Sequence, residues 1–384
     1  MPHITGLRGV LPEASKVAEV IAAPIDLAKG LAAGTLTRDP VRAVYRYHET
    51  FPGPGRTFTR KSMVCGVRLS PWAEGMIRPH ETVTETAKAQ ALASIRANKA
   101  HTAFVLAGVR DAAQEIDRLF KRVESNPATM KATTPDGVQH TLWRVSDAEI
   151  IGKLRNYFTP KKLHVLDGHD RYEAMLAYQA ELSAKQEPAM YSSVNYGLFC
   201  IVTLEDQALV AASRHRVING ITAKSDEILA SAKKYFIIDK LAGMAGDVGK
   251  LVGALGDSVA HQPTFIAVFA GEPDAWKLTL SPDISPVLEG ITIPRALQKL
   301  DPVAIEHLFV QRSLPGALVT TETDAKQALA AGGQLVLLVR PISIEQIAHV
   351  DELGATLPPN STAIHPGLAN GLVSLVIDPD EDLV

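Results

Sequence analysis

Leu163-His164-Val165-Leu166-Asp167-Gly168-His169-Asp170-Arg171-Tyr172-Glu173 is the stretch whose reading decides the fold. The apolar run 163–166 predicts a strand, and Tyr172, Met175, Leu176 and Ala180 recur at the spacing of one helix face. Gly168 between them predicts a tight strand-to-helix turn. Such a junction gathers unpaired backbone N–H groups and the positive end of a helix dipole, which suits an anion. His169 and Arg171 add side-chain donors for phosphate oxygens, yet Asp167 and Asp170 put two carboxylates at the same place.

The plainest reading makes Asp170 an N-cap and Glu173 the other half of a capping box, together worth about 0.5–2 kcal/mol. It leaves Asp167, His169 and Arg171 crowded at one helix end without a reason. Magnitudes constrain the alternative. A helix dipole offers an anion about 0.3–1 kcal/mol, whereas a carboxylate ~4 Å from a phosphate costs about 4 kcal/mol at an effective dielectric of 20. Repulsion wins unless a cation intervenes. Arg171 offsets part of it through charge-assisted bonds. A Mg²⁺ bridging carboxylate and phosphate offsets more. Phosphate at this junction therefore implies a metal.

Three other clusters carry chemistry-bearing residues. Arg78-Pro79-His80-Glu81-Thr82 reads either as a loop entering a helix or as a positioned carboxylate that removes a proton from a hydroxyl. Arg214-His215-Arg216 reads as a solvated strand end or as a phosphate contact using the forked donors of arginine. Pro358-Pro359-Asn360-Ser361-Thr362 is a turn bearing hydroxyls.

The 384-residue length allows two or more domains. A hydrophobic share of 46%, a charged share of 21% and a net charge of -3 describe an ordinary globular protein and count against a dedicated nucleic-acid binder. Cys65 and Cys200 lie far apart in strand-like contexts and read as buried free thiols rather than a disulfide. No run approaches the roughly 18 apolar residues of a membrane span, and Met1-Pro2-His3-Ile4 lacks the features of a secretory signal. The expectation is a cytoplasmic protein with no membrane partner.

Along the chain, strands are predicted at Tyr45–His48 and Met63–Leu69, with a Gly53-Pro54-Gly55 turn between them. A helix is predicted from Thr82, where Thr82 and Glu85 have capping-box spacing, with Ala87, Ala91, Leu92 and Ile95 inward. Ser146 and Glu149 predict a second box opening a helix that ends near Phe158. Tyr196–Leu204 and Ala208–Ala212 suggest a hairpin, as do Thr264–Ala270 and Trp276–Leu280. Asp324–Ala331 and Ile344–Val350 read as helices, Gln334–Val339 as a central strand and Gly371–Ile377 as a last strand. The fold class is α/β of the mixed α+β kind. The expected division is a motif-bearing region 1–222 and a second α/β region 223–384, whose segment 355–377 returns to the site.

Taken together, these places resemble the domain of unknown function 1015 family of bacteria and archaea, whose central motif is Asp-Gly-His-His-Arg-Tyr-Glu. That motif is similar to one in free-serine kinases of the ParB/sulfiredoxin-like superfamily. Ala22-Ala23-Pro24-Ile25-Asp26 resembles the family's N-terminal Ala-Pro-Pro-Tyr-Asp. His80-Glu81 resembles its Pro-His-Glu segment, Lys88 a later lysine, and His215-Arg216 its His-Arg pair. Pro358–Thr362 and Gly371-Leu372-Val373 resemble its C-terminal Met-Pro-Pro-Lys-Ser-Thr and Gly-Leu-Val. The chain departs from the pattern at Asp170, Ala89-Gln90, Asn360 and Gly367, each exchange removing a basic group or adding an anion. Either a metal compensates or the ligand differs.

The resemblance implies a ParB/sulfiredoxin-like core and a Mg²⁺-dependent transfer of phosphate from ATP or ADP to the hydroxyl of a small amino acid, with free L-serine as the model acceptor. It implies Glu81 as the base, with His169 and Asp167 also catalytic. Phosphate or nucleotide would be held by Gly168, Arg171, His215, Arg216, Lys88, Ser361 and Thr362, the acceptor by His80 and Glu173, and the metal by Asp167 and Asp170. Two other readings remain: a non-catalytic nucleotide or metabolite binder that kept the fold, and a ParB-like DNA-associated protein. The net charge and the lack of a readable helix-turn-helix count against the last.

Overall fold

In the computed structural model, residues 3–53, 55–256, 262–284, 291 and 293–384 are described, so Pro54 of the expected turn lies outside them. The chain forms two compact units, Met1–Pro79 with Val83–Val210 and Ile364–Val384, and His80–Thr82 with Ala211–Ala363. Both are mixed α and β, as expected. The first unit ends at Val210, upstream of residue 222, and of the segment 355–377 only the part from Ile364 belongs to it.

The first unit is built on a nine-stranded sheet. Its strands are β1 (Ile4–Thr5), β2 (Val44–Gly53), β3 (Arg56–Arg68), β4 (Ile77–Arg78), β5 (Val105–Val109), β6 (Met130–Thr133), β7 (Gln139–Val145), β8 (Leu163–Asp167) and β9 (Tyr196–Thr203). They lie in the order β4-β8-β5-β9-β3-β2-β7-β6, with β1 on β3. Among the helices of this unit are α1 (Glu85–Asn98), α2 (Glu115–Glu124), α3 (Ala148–Phe158) and α4 (His169–Ser183). Ile95, Phe120, Leu154, Phe158, Tyr172 and Met175 from these helices join Met63, Cys65, Val67, Val105, Val165 and Phe199 in one core. The alternate residues of β3 on this face explain why a period of two was readable there.

Local signals placed the elements well and their ends less well. Thr84, not Thr82, caps α1, its Oγ1 accepting from Ala87 N–H at 3.3 Å. Asp147, not Ser146, caps α3 and accepts from Glu149 and Ile150 N–H. The hairpin expected across 205–207 does not form: β9 pairs instead with β3 on one side and β5 on the other. Cys65 and Cys200 are buried and free. Burial raises both thiols, Cys200 to about 12, so neither is a thiolate at neutral pH.

A buried ion pair ties the last segment to this sheet. Arg60 and Glu49, on β3 and β2, are 2.6 Å apart with both side chains fully enclosed. The same guanidinium donates to the Pro366 carbonyl at 2.9 Å.

The second unit is a six-stranded antiparallel sheet of β10 (His215–Asn219), β11 (Phe236–Leu241), β12 (Thr264–Phe269), β13 (Ala275–Leu280), β14 (Leu318–Glu322) and β15 (Leu335–Val339). Its order is β11-β13-β12-β15-β10-β14, so the β12–β13 hairpin forms and β15 is interior. Phe265, Ala267, Leu335 and Leu337 pack with Phe236, Ile305 and Phe309 on one face. Ile266, Val268, Val336 and Leu338 pack with Leu251, Leu255 and Ala328 on the other. Covering both faces makes the central strands continuous apolar runs, which is why alternation fades after residue 222.

Arg60→Met is expected to lower unfolding free energy by about 3–5 kcal/mol, because Glu49 is then buried without its countercharge. Chemical denaturation checks this, and Glu49→Leu in the same chain should restore most of the loss.

Candidate functional site

In the first unit, β8 leaves the sheet through an irregular register between Val165 and Asp167, opposite Ala107 and Leu106. Gly168 follows with φ 90° and ψ 31°, a left-handed conformation, and caps α4. The helix therefore starts at His169 rather than after Asp170, and Asp170 lies in its first turn. A Cβ on Gly168 would lie 2.6 Å from Arg171 Nε and 2.9 Å from Nη2. Glycine is required twice, by the backbone angle and by the guanidinium folded over it. Arg171 Nη2 donates to Asp167 Oδ1 at 2.9 Å. Among the described residues, its buried Nε has no hydrogen-bond partner.

The rest of the motif is shared between packing and charge. His169 is 3% exposed and Tyr172 fully buried. The Tyr172 hydroxyl donates to the Ser70 carbonyl at 2.6 Å, and burial lifts it to about 12. Glu173 does not complete a capping box; its Oε2 lies 3.3 Å from Lys88 Nζ on α1. The acceptor role expected of Glu173 and the nucleotide role expected of Lys88 thus fall on two groups that neutralise each other.

Among the described residues, no group of three or more His, Cys, Asp or Glu side chains is placed to hold a metal ion. Asp167 Oδ1 is already engaged by Arg171, which leaves Asp167 Oδ2 and Asp170. Two carboxylates fit a Mg²⁺ that keeps several waters and arrives with a phosphate, as this ion commonly does. They do not make a resident metal centre.

In the second unit, residues 80–82 are zipped to Leu357: Leu357 N–H donates to the His80 carbonyl at 2.8 Å, and Thr82 N–H to the Leu357 carbonyl at 2.9 Å. The turn that follows carries Asn360 at φ 56°, a left-handed angle that asparagine tolerates. Glu81 Oε2 accepts from Ser361 N–H at 3.1 Å, Thr362 N–H at 3.2 Å and Thr362 Oγ1 at 3.0 Å. His80 Nε2 is 2.7 Å from Thr362 Oγ1, and the ring is 1% exposed. Arg214 Nε donates to the Thr362 carbonyl at 2.7 Å. Donors expected to meet phosphate at Ser361 and Thr362 are thus directed at Glu81, and His80 Nε2, expected to meet the acceptor, is directed at Thr362.

His215 and Arg216 open β10 and are both buried, not a solvated strand end. His215 Nδ1 accepts from Val339 N–H at 3.1 Å, and burial lowers the imidazole to about 4. The ring is neutral near pH 7, with the proton on Nε2. Arg216 is 3% exposed. Burial brings it down to about 10, opposed by the negative charges of Glu306 and Glu81. It remains a cation at neutral pH, and its Nη1 donates to the Arg214 carbonyl. Glu306 lies in the π-helical turn Ile305–Val310 and had no readable sequence signal. Arg214 had one, as part of the Arg-His-Arg run.

A model of the family described as "Protein of unknown function (DUF1015)" matches residues 7–303. The chain belongs to the DUF1015 family. No curated protein matches this DUF1015 chain. Among solved structures, it is similar to a free serine kinase in complex with AMP, at 11% identity and a TM-score of 0.41, covering 79% of this chain and 89% of the other. It is similar to C-terminally truncated SbnI from Staphylococcus aureus at 12% identity and a TM-score of 0.42, covering 82% and 90%. A conserved hypothetical protein from Pyrococcus furiosus gives 10% and 0.41, covering 79% and 93%. Likeness at this level does not transfer a ligand or an activity to this DUF1015 chain.

Gly168→Ala is expected to cost about 1–3 kcal/mol of stability, since the left-handed angle is strained for alanine and the guanidinium must move. Differential scanning calorimetry reads it. His215 supplies a second expectation. Its folded value of about 4 lies below the unfolded 6.5, so between those pH values the unfolded chain binds more protons and stability falls as the pH drops. His101 and His140, also lowered to about 4 by burial, act in the same sense. Urea midpoints from pH 7 to pH 4 should decline less steeply in His215→Gln than in wild type.

Proposed function

We propose that this DUF1015 protein transfers phosphate from ATP or ADP to the hydroxyl of a small amino acid, with free L-serine as the first acceptor to try. The observation that carries the reading is Arg171: a guanidinium laid over Gly168 at a helix start, with a buried Nε that has no hydrogen-bond partner among the described residues. An unmet buried donor costs about 1–3 kcal/mol, and a phosphate oxygen is the group that would satisfy it. Gly168, His169 and Arg171, all in the first unit, bind the transferred phosphate. Asp167 and Asp170 would hold a Mg²⁺ arriving with the nucleotide, which would supply charge neutralisation on the phosphates. Glu81 takes the acceptor's proton. Most of the rate comes from positioning and charge stabilisation, as is general for phosphoryl transfer.

A second reading, a nucleotide binder without turnover, is favoured by one set of residues. At Ala89-Gln90, Asn360 and Gly367 the chain departs from the family pattern it resembles by lacking a basic group, and Lys88 is committed to Glu173.

Incubation with L-serine, Mg²⁺ and ATP, ADP or pyrophosphate, followed by ³¹P NMR, should yield phosphoserine with at least one donor. Glu81→Gln should lower the rate by about 10²–10⁴-fold. Absence of product with all three donors would rule out the serine kinase reading. A rise in melting temperature with nucleotide and Mg²⁺ under those conditions would leave the binder.

A further inference from the structure

In the first unit, α2, α3 and the end of β7 enclose a groove of about 560 Å³ that includes no residue of the Asp167–Glu173 motif. Small-molecule sites commonly measure about 300–1,000 Å³. The lining divides by exposure. Leu119, Val123, Ile150 and Trp143 are half-buried, whereas Arg118, Arg122, Arg144 and Lys153 are exposed. An apolar floor beneath a cationic rim is the result. Its walls are fixed by their own hydrogen bonds. Trp143 Nε1 donates to the Asn126 carbonyl at 2.9 Å, and His48 meets the indole edge-to-face with centroids 4.8 Å apart. Thr129 Oγ1 accepts from Arg144 N–H at 2.9 Å, which ties the loop after α2 to β7.

The acidic residues of the lining are already engaged. Glu149 lies 2.6 Å from Lys153 Nζ, and Asp147 Oδ1 accepts from the first N–H groups of α3. Arg144 is paired with Asp39 at 2.6 Å. Arg118 Nη2 donates to the neutral Ala113 carbonyl, and neither Arg118 nor Arg122 forms an ion pair among the described residues. These two guanidiniums are four residues apart on one face of α2, where like charges destabilise a helix. The helix dipole accounts for Arg122, in the last turn, but not for Arg118, which lies towards the positive end. An anion seated between them turns repulsion into two charge-assisted contacts. A phosphate monoester, with about two negative charges at neutral pH, matches the pair.

We propose that this groove is a second binding site, distinct from the motif, for a small aryl phosphate. Its phosphate sits between Arg118 and Arg122, and its planar ring lies on Trp143, Leu119, Val123 and Ile150.

Labelling with 5-fluorotryptophan gives a ¹⁹F resonance for each of the three tryptophans, and Trp143→Phe assigns the one in the groove. The ligand to add is phenyl phosphate, with phenol and inorganic phosphate as its separate halves. Phenyl phosphate should shift the Trp143 resonance saturably, and each half should bind at least about tenfold more weakly. Arg118→Gln combined with Arg122→Gln should weaken phenyl phosphate by about 10²-fold, roughly tenfold for each lost charge-assisted contact. Lys121→Gln removes a charge from the same helix outside the groove, and Arg171→Lys alters the motif; both should leave the affinity in place. A Trp143 resonance that stays still, or that responds equally to either half, overturns the proposal. So does an affinity that survives the double arginine variant, or one lost equally in Lys121→Gln or Arg171→Lys.

Discussion

The guanidinium of Arg171 resting on Gly168 is the contact on which the geometry of the motif in the first unit depends. It requires a residue without a side chain at the turn, and it requires a carboxylate, Asp167, to hold one nitrogen. It also leaves another nitrogen buried without a hydrogen-bond partner among the described residues. Few structural reasons exist for keeping such a group, since a shorter or apolar side chain would avoid the cost. Tyr172, by contrast, is there for packing: it seats the helix against Trp72, Phe199 and Ser70. Motif residues therefore divide into those that pack the junction and those whose polar groups line it.

The second unit uses related physics for a different end. Backbone N–H groups of Ser361 and Thr362 converge on Glu81, much as helix N–H groups converge on a bound anion. Around Glu81, His215 is a neutral ring fixed by a backbone N–H, while Arg216 keeps its charge despite burial. One basic pair recognised in the sequence thus contains one cation and one neutral donor.

Much of the architecture was legible because it rests on local pattern. The apolar run before Asp167, the glycine and the helical spacing after it identify β8, the turn and α4. The capping residues were misplaced at Thr82, Ser146 and Asp170 because several neighbouring polar residues satisfy the same spacing. Backbone angles choose among them, and Gly168 wins at α4 by adopting a left-handed angle. The hairpin expected after β9 failed for another reason: its edges are taken by β3 and β5, far away in sequence. The grip of Ser361 and Thr362 on Glu81 joins positions some 280 residues apart and leaves no local trace. Resemblance to a family grouped those residues, but only the geometry shows that their donors meet Glu81.

The central claim is that Arg171 at the Gly168 turn receives a phosphate oxygen. Its most direct test is the ¹⁵N–¹H resonance of Arg171 Nε, assigned by its disappearance in Arg171→Lys, followed while ADP and Mg²⁺ are added. A saturable downfield shift of that resonance, absent with adenosine and Mg²⁺, is the result predicted for a phosphate acceptor on Nε. A resonance unmoved at nucleotide concentrations that shift others would contradict the account.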